Sequence, residues 1–300
     1  GSAADVLDRQ YGMALPNQSE SFPLGPQGQW VMSRIGAHVE DLAARGLNCG
    51  RSKLAVGRRH ASNGEGCVSC GLCMHGCPYN AIFSSSDVVA RLRGEMGFRY
   101  LPGHLVRGFR ETDRGVVVRC EELASRAAVE LQADRLFLAC GVIGTTALVA
   151  RSLGLLDHAF TIRDSTKYLF PFVTERRVPG AMARPANTLS QVFIQAVGLE
   201  TTPRTVHGQL YGYNDLMIEP LRRWFGDAIF RLAPAASFLL ERVMIGMVYL
   251  HSDDSGVLKL TIHAEDRHAG LGAIIGEARA HSDHVADAYI SKLTVAHREL

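Results

Sequence analysis

The 300-residue chain has no long uninterrupted apolar run. Its charge-free stretches, residues 66–86, 136–150 and 185–199, are broken by cysteines and serines, by Gly141 and Gly144, and by Asn187, Thr188, Ser190, Gln191 and Gln195. None supplies the ~18 consecutive apolar residues of a membrane-spanning helix. There is also no excess of one charge: 32 Lys and Arg stand against 30 Asp and Glu, a formal net charge of +2. That balance gives no reason to expect a nucleic-acid partner. No internal repeat and no secretory signal pattern is visible, so a cytoplasmic location is expected. With 47 % hydrophobic and 21 % charged residues, the composition excludes a disordered chain, a collagen-like fibre and a small disulfide-stapled scaffold. The length suits about two domains.

Glycine and cysteine carry more information. Thirty glycines imply many tight turns and close backbone approaches, as around a cofactor. The seven cysteines are Cys49, Cys67, Cys70, Cys73, Cys77, Cys120 and Cys140. The count is odd and four lie within eleven residues, which argues against a disulfide framework and for a reducing compartment. Cys67-x2-Cys70-x2-Cys73-x3-Cys77-Pro78 has the spacing of a bacterial ferredoxin loop, in which closely spaced thiolates wrap an iron–sulfur cube. A single 4Fe–4S cluster on Cys67, Cys70 and Cys73 then needs Cys77 or a remote ligand among Cys49, Cys120 and Cys140. The other reading is a Gly/Cys-rich loop that packs over a cofactor without metal. The spacing lacks the separated ligand pairs of a structural zinc site.

Along the chain, residues 1–30 read largely as loop. Residues 31–46 read as a helix with Met32, Ile35, Val39, Leu42 and Ala43 on one face, closed by Gly46. Residues 45–66 read as a surface loop, and the Ser84–Ser86 run caps a helix over 86–95 with Asp87 in its first turn. Short strands follow at 99–101, 105–109, 116–119 and 129–131. Leu136 to Cys140 reads as a buried strand, 141–144 as a turn and 145 onward as a helix. Beyond residue 156, strands are expected at 169–175, 190–197 and 206–213, and a helix at 224–240. A hairpin of 243–250 with 257–262 and a helical tail from about 272 complete the reading. The fold class is α/β plus α+β.

Ala139-Cys140-Gly141-Val142-Ile143-Gly144-Thr145-Thr146, with Leu148 and Ser152 after it, resembles the late strand–turn–helix of flavin domains in the glucose–methanol–choline (GMC) oxidoreductases. Gly76-Cys77-Pro78 with Ala81 and the serines beyond resembles a segment of the same domain. Val106, with Phe109 three residues on, resembles the valine whose backbone pairs with the flavin adenine. Several members of that family carry a similar cysteine-rich loop. The resemblance covers most of residues 20–160 and is weaker over 160–265. It implies a partial FAD-binding Rossmann-like domain over 1–155 that includes the 67–78 loop. An antiparallel-sheet substrate domain would follow over 156–265, with a helical segment over 266–300.

The resemblance further implies FAD as cofactor, with Val106, Ala139, Cys140, Gly141, Gly144 and Thr145 at its adenosine end. A Gly turn before a helix N-terminus suits such a site, because free N–H groups and the positive dipole end meet there. The implied reaction is hydride transfer to flavin from an alcohol group of a sugar, sterol or similar small molecule, with an unidentified electron acceptor. The family's Gly-x-Gly-x-x-Gly segment and C-terminal catalytic histidine are missing. The expectation is therefore an internal fragment that binds FAD poorly on its own and does not turn over, with no catalytic residue to assign. The alternative is a 4Fe–4S electron-transfer module on Cys67, Cys70, Cys73 and Cys77, and a third reading is a non-catalytic binding protein. His281, His284, Asp283 and Asp287 read as a solvated face, His263 and His268 as loop residues, and Trp224, Phe225, Ile229 and Phe230 as core.

Overall fold

The computed structural model describes residues 22–57, 66–182, 187–214, 216, 233–263, 274–277 and 280–299. In chain order the elements are α1 (Pro26–Ala37), α2 (Val39–Ala44), β1 (Leu47–Arg51), a short 3-10 turn (Cys73–His75), α3 (Ser85–Leu92), β2 (His104–Thr112), β3 (Gly115–Glu122), β4 (Ala128–Ala133) and α4 (Gly141–Leu153). Then come β5 (Ala159–Arg163), β6 (Lys167–Val173), β7 (Ser190–Ala196), β8 (Val206–Tyr211), α5 (Ala233–Leu240), β9 (Val243–Tyr249), β10 (Val257–Thr261), β11 (Ile274–Glu277) and α6 (Ala280–Glu299). Helices combine with antiparallel sheets, an α+β arrangement. Every strand pair among the described residues is antiparallel. No described helix is long and apolar enough to cross a membrane.

Chain contacts divide the molecule into two units. The first takes residues 1–87, 167–251 and 284–300. Its centre is a five-stranded sheet in the order β1-β7-β8-β9-β6. Alternation along the strands sends Val192, Ile194, Ala196, Val206, Leu210, Met244 and Val248 to one face. There they meet Val31 and Ile35 of α1, Leu42 of α2, and Val285, Tyr289, Leu293 and Ala296 of α6. Gly208 is required at the middle of this face, since a Cβ there would overlap the Tyr289 hydroxyl. That buried hydroxyl donates to the Ile194 carbonyl at 2.9 Å. Buried amides tie the entry of α1 to the start of β7 and the end of β8. Gln191 Oε1 accepts from Gly25 N at 2.8 Å, Gln27 Oε1 accepts from Tyr213 N at 2.7 Å, and Asn187 Nδ2 donates to the Pro23 carbonyl at 3.0 Å.

The second unit takes residues 88–166 and 252–283. It contains the meander β2-β3-β4 and a three-stranded sheet β11-β10-β5. Ala147 and Ala150 of α4 share a core with Ile162, Leu260 and Ile262.

The structure corrects several expectations. The 45–66 stretch, read as loop, contains β1, paired with β7 from Leu47↔Ala196 to Arg51↔Val192. The basic, glycine-containing composition hid a strand that borrows its order from a partner far along the chain. Leu136 to Cys140 is not a buried strand: residues 135–139 lie outside any ladder and Phe137 is 86 % exposed. An apolar run makes a strand only when a neighbour takes up its backbone groups. Residues 99–101 are likewise outside any strand. The 243–250 and 257–262 segments are both extended but form no hairpin, since β9 pairs with β8 and β6 whereas β10 pairs with β5 and β11. Ile274 and Ile275, read as part of a helical tail, lie in β11. The α4 helix begins at Gly141, not after the glycine turn. The helix expected over 224–232, with Trp224, Phe225, Ile229 and Phe230, and His268 fall outside the described residues.

Candidate cofactor and substrate sites

In the second unit, the motif residues are spread along α4: Gly141, Gly144 and Thr145 lie toward its start, and Ser152, which meets β2, lies near its end. Gly141 opens α4 at φ +73°, and no atom lies within 4 Å of the place a Cβ would occupy. That left-handed backbone favours glycine. Cys140 is the N-cap and makes no side-chain capping bond, so the first-turn N–H groups of α4 have no side chain of the cap to satisfy them. Gly144 packs back on Cys140, whose Cβ lies 3.3 Å from the Cβ position of residue 144. Thr145 is half-buried in the first turn, while Ala139 and Cys140 are exposed in the extended segment before it.

Further along α4, Ser152 Oγ accepts from Phe109 N at 3.0 Å and donates to the Leu148 carbonyl at 2.7 Å. This couples the helix to β2. Gly108 allows the approach, with the Arg119 guanidinium 2.9 Å and Ser152 Oγ 3.4 Å from its Cβ position. Val106 faces Cys120 on β3, and the β2–β3 register shifts between Val106 and Gly108. Such a bulge releases backbone groups from a ladder. Beside it, Phe109, Glu111, Val116, Arg135 and Phe137 line an open groove of about 440 Å³.

The cysteine loop belongs to the first unit. Its two ends are pinned together: Gly57 N donates to the Ala81 carbonyl at 2.7 Å, Phe83 N to the Ala55 carbonyl at 2.8 Å, and Cys67 N to the Gly57 carbonyl at 2.9 Å. Between these ends the backbone turns sharply, with positive φ at Ser69, Gly71, Gly76 and Asn80. Cys67 Sγ accepts from Ser69 N and Cys77 Sγ from Ala81 N, both at 3.3 Å. Burial raises the Cys77 thiol, but the N–H groups of Ala81, Tyr79 and Ile82 outweigh it and leave the thiol below its ordinary value. The remote cysteines differ. Burial pushes Cys49 up to about 11 and also raises Cys120, while Cys140 is exposed. Among the described residues, no three His, Cys, Asp or Glu side chains are gathered as a metal-ligand set. His281 instead approaches Asp254 at 3.5 Å and His263 approaches Asp157 at 2.9 Å.

A third constellation had no motif to announce it. On the sheet face opposite α6, the register sets Asn48, Gln195, His207, Tyr249 and Lys167 side by side across all five strands. The next row holds Gly50, Phe193, Gln209, Met247 and Leu169. Gln209 Oε1 accepts from Tyr211 Oη at 2.6 Å and lies 3.4 Å from Tyr249 Oη. That fixes the amide so that its Nε2 donates toward His207 Nε2 at 3.2 Å. The other ring nitrogen, Nδ1, faces the Gln195 amide nitrogen at 3.4 Å. Burial holds His207 below its ordinary pKa, so the ring is neutral at pH 7. Burial, and the hydrogen bond and charge of Tyr249, raise the Tyr211 phenol, keeping it a donor. The His207 ring stacks on Phe193 at 6.3 Å, and Lys167 Nζ stands 5.9 Å from the centre of the Tyr249 ring. Alternating polar residues in a strand pattern were the available sequence signal, but only strand order shows that they share a row.

No known protein-family model matches the chain, and no curated protein matches its sequence.

Proposed function

We propose that the chain serves a flavin-dependent oxidation of an alcohol group, in the manner of the GMC oxidoreductases its sequence resembles. The observation that carries this reading is the start of α4. An unencumbered left-handed Gly141 and a helix N-terminus without a side-chain cap suit a ribose or phosphate, and the Ser152–Phe109 bond ties the far end of the same helix to the strand that carries Val106. The residues present fit that end of FAD: Ala139 to Thr145 would meet ribose and phosphate through backbone, and Val106 would meet the base through its main chain. A partial Rossmann-like FAD domain remains part of the proposal. Bound FAD would accept the hydride from the alcohol carbon. In the first unit, taken by itself, the neutral His207 and its amide and phenol neighbours would hold hydroxyl groups.

The test is a titration of FAD into the chain, followed by quenching of flavin fluorescence. Weak but saturable binding that AMP competes away is expected, since the pyrophosphate segment is missing. Gly141→Val, which places a side chain on the open turn, should weaken it by at least about tenfold, a loss of one good contact. Absence of saturable binding, or binding indifferent to Gly141→Val, overturns the reading.

A second reading, the 4Fe–4S carrier, is favoured by one observation: backbone N–H groups donate to the sulfurs of Cys67 and Cys77, as they do to cluster sulfurs. The thiol chemistry fits, but the described positions of the four cysteines do not form a cage. Iron and sulfide assays after anaerobic purification separate the readings, because a flavoenzyme loop of this kind needs no iron.

A further inference from the structure

We infer that the five-residue row Asn48, Gln195, His207, Tyr249 and Lys167, with Gln209, Tyr211 and Phe193 beside it, is a binding site for a carbohydrate of more than one ring, laid across the strands. The inference deepens the proposed function by naming the substrate class. The site itself is defined without flavin. Register makes the five residues cross-strand neighbours, so the row advances by about 4.8 Å at each strand. That step is close to the length of one sugar ring, so successive rings would meet successive side chains.

The chemistry fits poly-hydroxylated rings better than a sterol or an alkyl chain. Side-chain amides and a neutral imidazole both donate and accept, as sugar hydroxyls do. Every member of the row carries a hydrogen-bonding group. The Gln209 amide is locked by Tyr211 Oη at 2.6 Å, and the imidazole is held between two amides. The donors are therefore arranged before a ligand arrives, which lowers the cost of binding. Phe193, Tyr211 and Tyr249 add aromatic surface for the C–H faces of sugar rings. All of these side chains except the exposed Asn48 and Lys167 are half-buried and keep accessible surface. A sterol would have to strip water from the row without replacing its hydrogen bonds.

The test uses the whole chain without added flavin on an array of di- to hexasaccharides, followed by calorimetry with the best ligand and with its monosaccharide. An oligosaccharide is expected to bind at least about tenfold more tightly than its monomer, because the added rings engage further donors. Gln195→Ala and Tyr249→Ala should each weaken binding by about tenfold, the effect of one lost hydrogen-bonding or stacking partner. Leu169→Ala, on the same face but without a polar group, should leave binding unchanged, and circular dichroism of all three variants checks folding. No oligosaccharide binding, equal affinity for monomer and oligomer, or indifference to both row variants overturns the inference. So does tighter binding of a dispersed sterol at the same residues. Because flavin is absent, failure of the FAD titration leaves this outcome standing, and the reverse holds too.

Discussion

His207 shows how much one residue's chemistry depends on neighbours distant in sequence. Its ring is desolvated by burial, and Gln209 turns a donor toward Nε2, so protonation would place two donors face to face. The folded pKa therefore lies below that of the unfolded chain. Above about pH 6.5 both states hold a neutral ring and stability is indifferent to this group. As pH falls, the unfolded chain takes up its proton first, and stability declines until the folded ring also protonates. Replacing His207 by Gln should flatten part of the fall in urea midpoint between about pH 7 and about pH 5. An unchanged pH profile would show that the ring titrates normally. At this scale the sequence was partly legible. Ser152, noted beside the glycine turn, proves to be the bond between α4 and β2. Asn187 and Gln191, which in the sequence only interrupt a charge-free stretch, are buried, because their partners include backbone groups at Pro23 and Gly25. Nothing local in sequence announces such a partner.

At the scale of elements, the contact of β8 with α6 rests on one missing side chain. A Cβ at residue 208 would collide with the phenol of Tyr289, which is itself buried and bonded to Ile194. Gly208→Ala should cost ~3 kcal/mol, the upper part of the range for overpacking a core. Tyr289→Phe should cost about 1 kcal/mol for the lost hydrogen bond. In the double variant the hydroxyl is gone and much of the collision with it. The combined loss should fall short of the sum by at least ~1 kcal/mol, a coupling readable from urea unfolding. Strict additivity would mean that the phenol moves aside freely. Period-two alternation made β8 and most of β7 legible, because one face of each is buried. It failed at β1, where Asn48, Gly50 and Arg51 carry no strand preference and pairing with β7 alone imposes the form. It failed in the opposite sense at Leu136 to Cys140, where strand-like composition has no ladder to join.

For the whole molecule, α6 is the element on which most depends. Val285, Ala286, Tyr289, Leu293 and Ala296 are all buried in the core of the first unit. Losing large core side chains costs ~2 to 5 kcal/mol apiece, against a total stability of about 5–15 kcal/mol for a typical protein. A chain ending at Asp283 should therefore lose the cooperative unfolding of its first unit. Hydrogen exchange should show protection vanishing from β7, β8 and β9 while β2, β3 and β4 keep theirs, since the core around Ile162 and Leu260 uses no residue beyond 283. Retained protection in β8 would show that the sheet stands without its helix. Contiguous reading of the sequence cannot reveal this organisation, because each unit is assembled from separated segments.

That interleaving sets a timetable for synthesis. The strands of the five-stranded sheet leave the ribosome by residue 249, and α1 and α2 before them, but the α6 side chains that cover the rest of the apolar face lie between 285 and 296. At about 5–20 residues per second, the sheet waits for seconds with that part of its face bare. The first unit thus completes only after α6 is released, and the interval before then is when chaperones or aggregation compete for the nascent chain.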